Sequence, residues 1–121
     1  MSDKEMFELA AKAAGIALEF RVLIWSDGTE YPCYEDKDSV SEAANCVPVI
    51  RWNPLTDDGD ALRLAVKLYF KIVHDGEMQR VECHYSENEN DWLTEDWKDD
   101  PQSATRRAIV RAAAEIGRVM K

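Results

Sequence analysis

The chain has 121 residues, 45% of them hydrophobic, which makes one domain with enough apolar side chains to bury a core. Its 24 Asp and Glu against 15 Lys and Arg leave a formal net charge of −9, which excludes direct binding to nucleic acid or to an anionic membrane surface. No apolar run nears the roughly 20 residues that a bilayer span needs, and the opening MSDKEMFELA lacks the apolar stretch of a signal peptide. With three widely spaced cysteines (Cys33, Cys46 and Cys83), the expectation is a cytoplasmic protein whose thiols stay reduced.

Ser2-Asp3-Lys4-Glu5 has the form of a capping box and predicts a helix start. Met6, Leu9, Ala10 and Ala13 then fall on one face, Glu8 and Lys12 pair on the other, and Gly15 supplies the stop. From residue 16 to 25 the period changes to two: Ile16, Leu18, Phe20, Val22 and Ile24 alternate with Glu19 and Arg21. That pattern predicts a half-buried strand. Asp27-Gly28 is a hairpin-type turn signal, so residues 29–34 are expected to return antiparallel beside it. Residues 35–45 are polar, with room for one loose helical turn. Residues 47–52 are apolar enough for a short strand, yet Pro48 cannot donate to a ladder and marks an edge at best.

Residues 52–70 carry the strongest local signal. Asn53-Pro54 punctuates the chain, Thr56 or Asp57 can cap a helix, and Asp57, Asp58 and Asp60 set negative charge against the positive end of its dipole. Ala61, Leu62, Leu64, Ala65, Val66 and Leu68 cover most of its circumference. Asp60, Arg63 and Lys67 fall on one stripe about 60° wide. A helix so apolar is expected to be the folding centre, with Leu62, Val66 and Leu68 all buried.

Residues 70–74 and 80–85 flank Asp75-Gly76 and predict a second hairpin. The following fifteen residues, 86–100, hold seven acids, one Lys, and Trp92 and Trp97, and read as an acidic loop with two aromatic anchors. Asp100-Pro101 opens a last helix, whose apolar face is Ile109, Ala112, Ala113, Ile116 and Met120. Arg107, Arg111, Glu115 and Arg118 lie together on the other side. The element order α-β-β-α-β-β-α predicts a single domain over residues 1–121, of class α+β, with an antiparallel sheet of about four strands sandwiched with three helices.

Two stretches, WNPLTDDGDALRLAVKL at residues 52–68 and ATRRAIVRAAAEIGR at residues 104–118, resemble the phage ABA sandwich domain family, small proteins of tailed bacteriophages and prophages. The resemblance implies an α/β sandwich of phage or prophage origin. It brings no activity and no catalytic residues with it.

Candidate sites divide by how much of their chemistry is already explained. Asp57, Asp58 and Asp60 are hard-cation ligands by type, but their spacing is not that of a calcium loop, and helix capping accounts for them. They are therefore expected to be structural, and no metal site is predicted. His74, Cys83 and His84 share the second hairpin. A turn at Asp75-Gly76 sets His74 against residues near 79 and His84 near Phe70, which separates them too far for zinc. There is no nucleophile elbow and, with only five glycines, no phosphate loop, so neither a catalytic residue nor a cofactor is assigned. Arg106 falls near the apolar face of the last helix, beside Ala113 and Gly117, and is expected to form a structural salt bridge with an acid of the 57–60 cluster. The other arginines read as a solvated face with an Arg111–Glu115 pair.

The acidic segment is the functional candidate. Tryptophans on a solvated loop either pin it to the body or meet a partner. The expectation is a small non-enzymatic accessory protein that binds a host or phage protein, itself basic, through Trp92, Trp97, Asp91, Glu95 and Asp96. Two alternatives stand beside it: an acidic DNA mimic that blocks a nucleic-acid-binding host protein, and a metal-assisted hydrolase built on the Asp57–Asp60 cluster with a histidine.

Overall fold

Each helix begins where a side-chain oxygen is available for its first amides. In a computed structural model that describes residues 2–16, 18–24, 30–36 and 52–120 (18–24 and 30–36 by backbone alone), helix α1 spans Asp3–Ala14. The Ser2 hydroxyl accepts from the Glu5 amide at 3.2 Å, and Gly15 closes the helix in the left-handed region at φ 70°. Helix α2, Asp58–Lys67, is capped by Asp57, which accepts from the Asp60 amide at 2.9 Å. Helix α3, Pro101–Val119, is capped by Asp100, which accepts from the Ser103 amide at 3.1 Å, with proline in the first turn.

Strands β1 (Leu18–Ile24) and β2 (Glu30–Asp36) form an antiparallel hairpin, registered from Leu18 opposite Asp36 to Ile24 opposite Glu30. The Asp27-Gly28 turn and the expectations for residues 37–51 lie outside the described residues. Strands β3 (Lys71–Asp75), β4 (Arg80–His84) and β5 (Trp92–Asp96) form a separate antiparallel sheet in that order. The class is α+β as expected, but the strands number five among the described residues and fall into two sheets.

The fifth strand replaces part of the expected acidic loop. Leu93 and Glu95 face one side of the sheet while Trp92, Thr94 and Asp96 face the other, so the period of two is present. It is hard to see because the inward position beside Val81 holds Glu95 where an apolar residue would have betrayed a strand. The β3–β4 turn differs from expectation too. It has four residues, 76–79, with the Asp75 carboxylate accepting from the Glu77 and Met78 amides at 3.1 Å and Gln79 left-handed at φ 51°. His74 therefore sits opposite Val81, and His84 opposite Lys71. The longer turn shifts the expected register.

Helix α3 is the element on which α1, α2 and the three-stranded sheet meet. On one side it packs on α1 and α2, where Val110, Ala113 and Ala114 join Met6, Phe7, Ala10, Ala11 and Ala14 of α1 and Ala61, Leu64 and Ala65 of α2. Trp52 closes this cluster, edge-on to Phe7 with ring centroids 5.8 Å apart. On its other side α3 lays Ala104, Ala108 and Ala112 over Val81 and Cys83 of β4. Two flanks explain why its buried face is broader than the expected stripe, while Met120, at the end of the helix, is exposed.

The reading of α2 as the folding centre is corrected. Leu62 and Val66 are 61% and 65% exposed, and Leu68 is half-buried. Asp60, expected on the polar stripe, is buried. Among the described residues the helix meets the body along the side of Asp60, Ala61, Leu64 and Ala65. Asp60 belongs there because it has partners: its carboxylate accepts from the Asn53 amide at 2.9 Å and from Arg63 at 2.6 Å. No helix among the described residues is long and apolar enough to cross a membrane.

Candidate partner-binding face

Among the described residues, the three-stranded sheet has one face covered by α3 and one open face that no described helix covers. Ile72, Val81, Cys83 and Leu93 belong to the clusters beneath α3. Strand alternation turns Lys71, Val73 and Asp75, then Arg80, Glu82 and His84, then Trp92, Thr94 and Asp96 to the opposite side. Lys71, His84 and Trp92 form one row across the ladder. There the Trp92 ring stacks on the His84 imidazole, centroids 5.9 Å apart and planes 21° from parallel, and it remains 44% exposed. Glu82 lies 3.4 Å from His84 and 3.6 Å from Arg80 on the central strand.

The five residues of the acidic segment singled out in the sequence are not brought together. Trp92 and Asp96 both stand on the open face, four residues apart on the same strand. Trp97 turns the other way, packing against the Val81 and Cys83 cluster with its ring 6.2 Å from that of His74. Its amide donates to the Gln79 carbonyl at 2.8 Å, which holds the chain just after β5 to the β3–β4 turn. Trp97 is thus an anchor. Asp91 accepts from the Ser86 hydroxyl at 2.7 Å and its carbonyl accepts from the Tyr85 amide at 3.1 Å, so it orders the connection between β4 and β5. Glu95 faces α3 and pairs with Arg111, with Arg107 at 3.9 Å.

That pairing also corrects the reading of the arginine face. Arg111 reaches Glu95 and the Thr94 carbonyl rather than Glu115, while Glu115 pairs with Arg118 at 2.6 Å and Arg107 lies 3.6 Å from Asp3. The stripe fastens α3 to β5 and to α1 and is not a bare solvated surface. Arg106 meets Asp58 at 2.5 Å and donates from Nε to the Leu55 carbonyl at 2.8 Å, tying α3 to the loop that leads into α2.

The acids at the start of α2 each have structural work: Asp57 caps, Asp58 holds Arg106, and Asp60 bridges Asn53 and Arg63. Among the described residues no group of three or more His, Cys, Asp or Glu is placed to hold a metal ion. His74 and His84 point to opposite sides of the sheet. Burial pushes the Cys83 thiol up to about 12, which leaves it protonated and without nucleophilic character. The Trp92–His84 stack escaped sequence reading because it depends on the β4–β5 register. No alternation of apolar and polar residues at 92–96 marked it, because Trp92 and Leu93 are adjacent and Thr94, Glu95 and Asp96 are all polar.

The chain matches no family model, no curated protein and no solved structure with which it was compared.

Proposed function

We propose that the protein is a small non-enzymatic accessory protein, encoded by a bacteriophage or prophage, that binds a host or phage protein through the open face of its three-stranded sheet. The observation that carries this reading is Trp92, a large aromatic ring left 44% exposed on a flat face while Trp97, five residues on, packs inward. The stack on the imidazole restricts the orientations open to the exposed ring, which lowers the entropic cost of burying it in a partner. Asp96 on the same strand, and a net charge of −9, favour a basic partner and a fast encounter. The proposed origin rests on the resemblance of residues 52–68 and 104–118 to the phage ABA sandwich domain.

The test is affinity capture from host cells with wild type, Trp92→Ala and Trp97→Phe, followed by mass spectrometry of the retained proteins. Trp92→Ala should keep the circular dichroism spectrum and lose the partner, while Trp97→Phe should keep both. Undiminished capture by folded Trp92→Ala would sink the proposal.

A further inference from the structure

Strand β3 is an edge of its sheet, and the ladder fixes which of its backbone groups are left over. The Tyr85 amide donates to the Asp91 carbonyl at 3.1 Å and the Trp97 amide to the Gln79 carbonyl at 2.8 Å, so Val81 and Cys83, in phase with Gln79 and Tyr85, bond to β5. Alternation leaves Arg80, Glu82 and His84 to bond to Asp75, Val73 and Lys71 of β3. Ile72 and His74 therefore turn their amides and carbonyls outward, and among the described residues no strand meets them. The opposite edge differs, because the outward Thr94 carbonyl of β5 accepts from Arg111 at 3.3 Å.

A row of unmet backbone groups can accept another strand, and the side chains decide which strand fits. A lysine on an edge ordinarily deters pairing. Here, however, Lys71-Ile72-Val73-His74-Asp75 is its own complement about Val73. When two copies meet antiparallel on a two-fold axis at Val73, Ile72 faces the partner's His74 and exchanges both backbone bonds with it. On the open face Lys71 then stands opposite the partner's Asp75, and the two Val73 side chains meet between these pairs, Cα atoms about 4.5 Å apart. A shift of two residues either way sets a charged residue against Val73 instead. The described fold leaves this edge free: Val73 is 36% exposed, and His74 is exposed although it lies on the covered side. Leu62 of α2, also exposed, lines the hollow beneath the edge with Ile72 and His74, where an added strand would lie over it.

We propose that two copies of this chain pair through β3, antiparallel and centred on Val73, joining their three-stranded sheets into one. The inference does not depend on Trp92, which stands on β5 at the far edge of each sheet.

Sedimentation equilibrium of the full chain across micromolar concentrations tests it, at about 0.15 M salt so that the net charge of −9 is screened beyond about 8 Å. Wild type should show a monomer–dimer equilibrium. Val73→Lys sets two ammoniums against each other on the axis, and Lys71→Glu sets carboxylate against carboxylate. Each should weaken the dimer at least about tenfold with the circular dichroism spectrum unchanged, whereas Trp92→Ala should leave it unaltered. In a Cys33→Ser, Cys46→Ser background, Val73→Cys should form a disulfide-linked dimer on mild oxidation and Lys71→Cys should not, since only position 73 meets itself. A wild type that stays monomeric, a dimer undiminished in a folded charge variant, or a failure of Val73→Cys to cross-link would each overturn the assignment.

Discussion

Gly117 lies against the backbone of Leu9, so close that a β-carbon on Gly117 would come within 2.0 Å of the Leu9 carbonyl oxygen. No side-chain rotation relieves such a contact, because the obstructing atom is backbone. Small buried residues nearby, Ala10, Ala11 and Ala14 of α1 and Ala113 and Ala114 of α3, leave room for the two helices to pack closely. Gly117→Ala should therefore force α1 away from α3 and destabilise the fold by about 3 kcal/mol, despite alanine's better helix propensity. Urea unfolding measures it, and a variant within about 0.5 kcal/mol of wild type would refute the close approach.

Two leucines two residues apart on α2 should behave in opposite ways. Leu64 is buried against α3 and Leu62 faces out. Leu64→Ala is expected to cost about 2–5 kcal/mol as a core truncation. Leu62→Ala should stay within about 0.5 kcal/mol. Comparable losses for both would mean that α2 is covered on its outer side.

The two tryptophans of the acidic segment separate on the same logic. Trp97→Ala removes the ring that packs over Val81 and Cys83 and should cost about 3 kcal/mol in thermal or chemical unfolding. Trp92→Ala loses a half-exposed stack on His84 and should cost about 1 kcal/mol or less. If Trp92→Ala proves the more destabilising, the sheet face is not open to a partner.

Asp60 is the buried acid of α2, and its carboxylate satisfies both the Asn53 amide and Arg63. Asp60→Ala should leave that amide without an acceptor and cost about 1–3 kcal/mol. Because the three acids already serve a cap, a salt bridge and a loop, calcium, magnesium or manganese should leave the melting temperature unchanged. A rise of several degrees, lost in Asp58→Asn, would show a metal site after all.

Cys83 gives the fold a pH dependence on the alkaline side. Burial raises its thiol from 9.0 to about 12, so the native state holds a proton that the unfolded chain gives up first. Its contribution to stability is complete below pH 9 and is lost as the pH rises from 9 toward 12. In a Cys33→Ser, Cys46→Ser background, native Cys83 should resist iodoacetamide at pH 8 and react once the protein is unfolded in urea. Rapid alkylation of the native thiol would contradict its burial.

Much of the fold was legible because its signals are local. The Ser2, Asp57 and Asp100 caps, the Gly15 stop and the hairpin of β3 and β4 depend on groups a few residues apart, so the sequence alone determined where the helices begin and that the class is α+β. The pairing of Arg106 with an acid at the start of α2, Asp58, was readable as well, since a long cation beside small residues on an apolar face needs a nearby carboxylate. What the tertiary structure alone decided is which faces are covered. Leu62 and Leu64 are equally apolar, and only the arrival of α3 on one side of α2 buries one and leaves the other in solvent. Glu95 masked a strand because its partner, Arg111, lies sixteen residues away in sequence, on α3. For the same reason Trp92 and Trp97 looked alike. Strand alternation and the β4–β5 register send one to the open face and the other into the core, and hydrophobicity by itself carries no such direction.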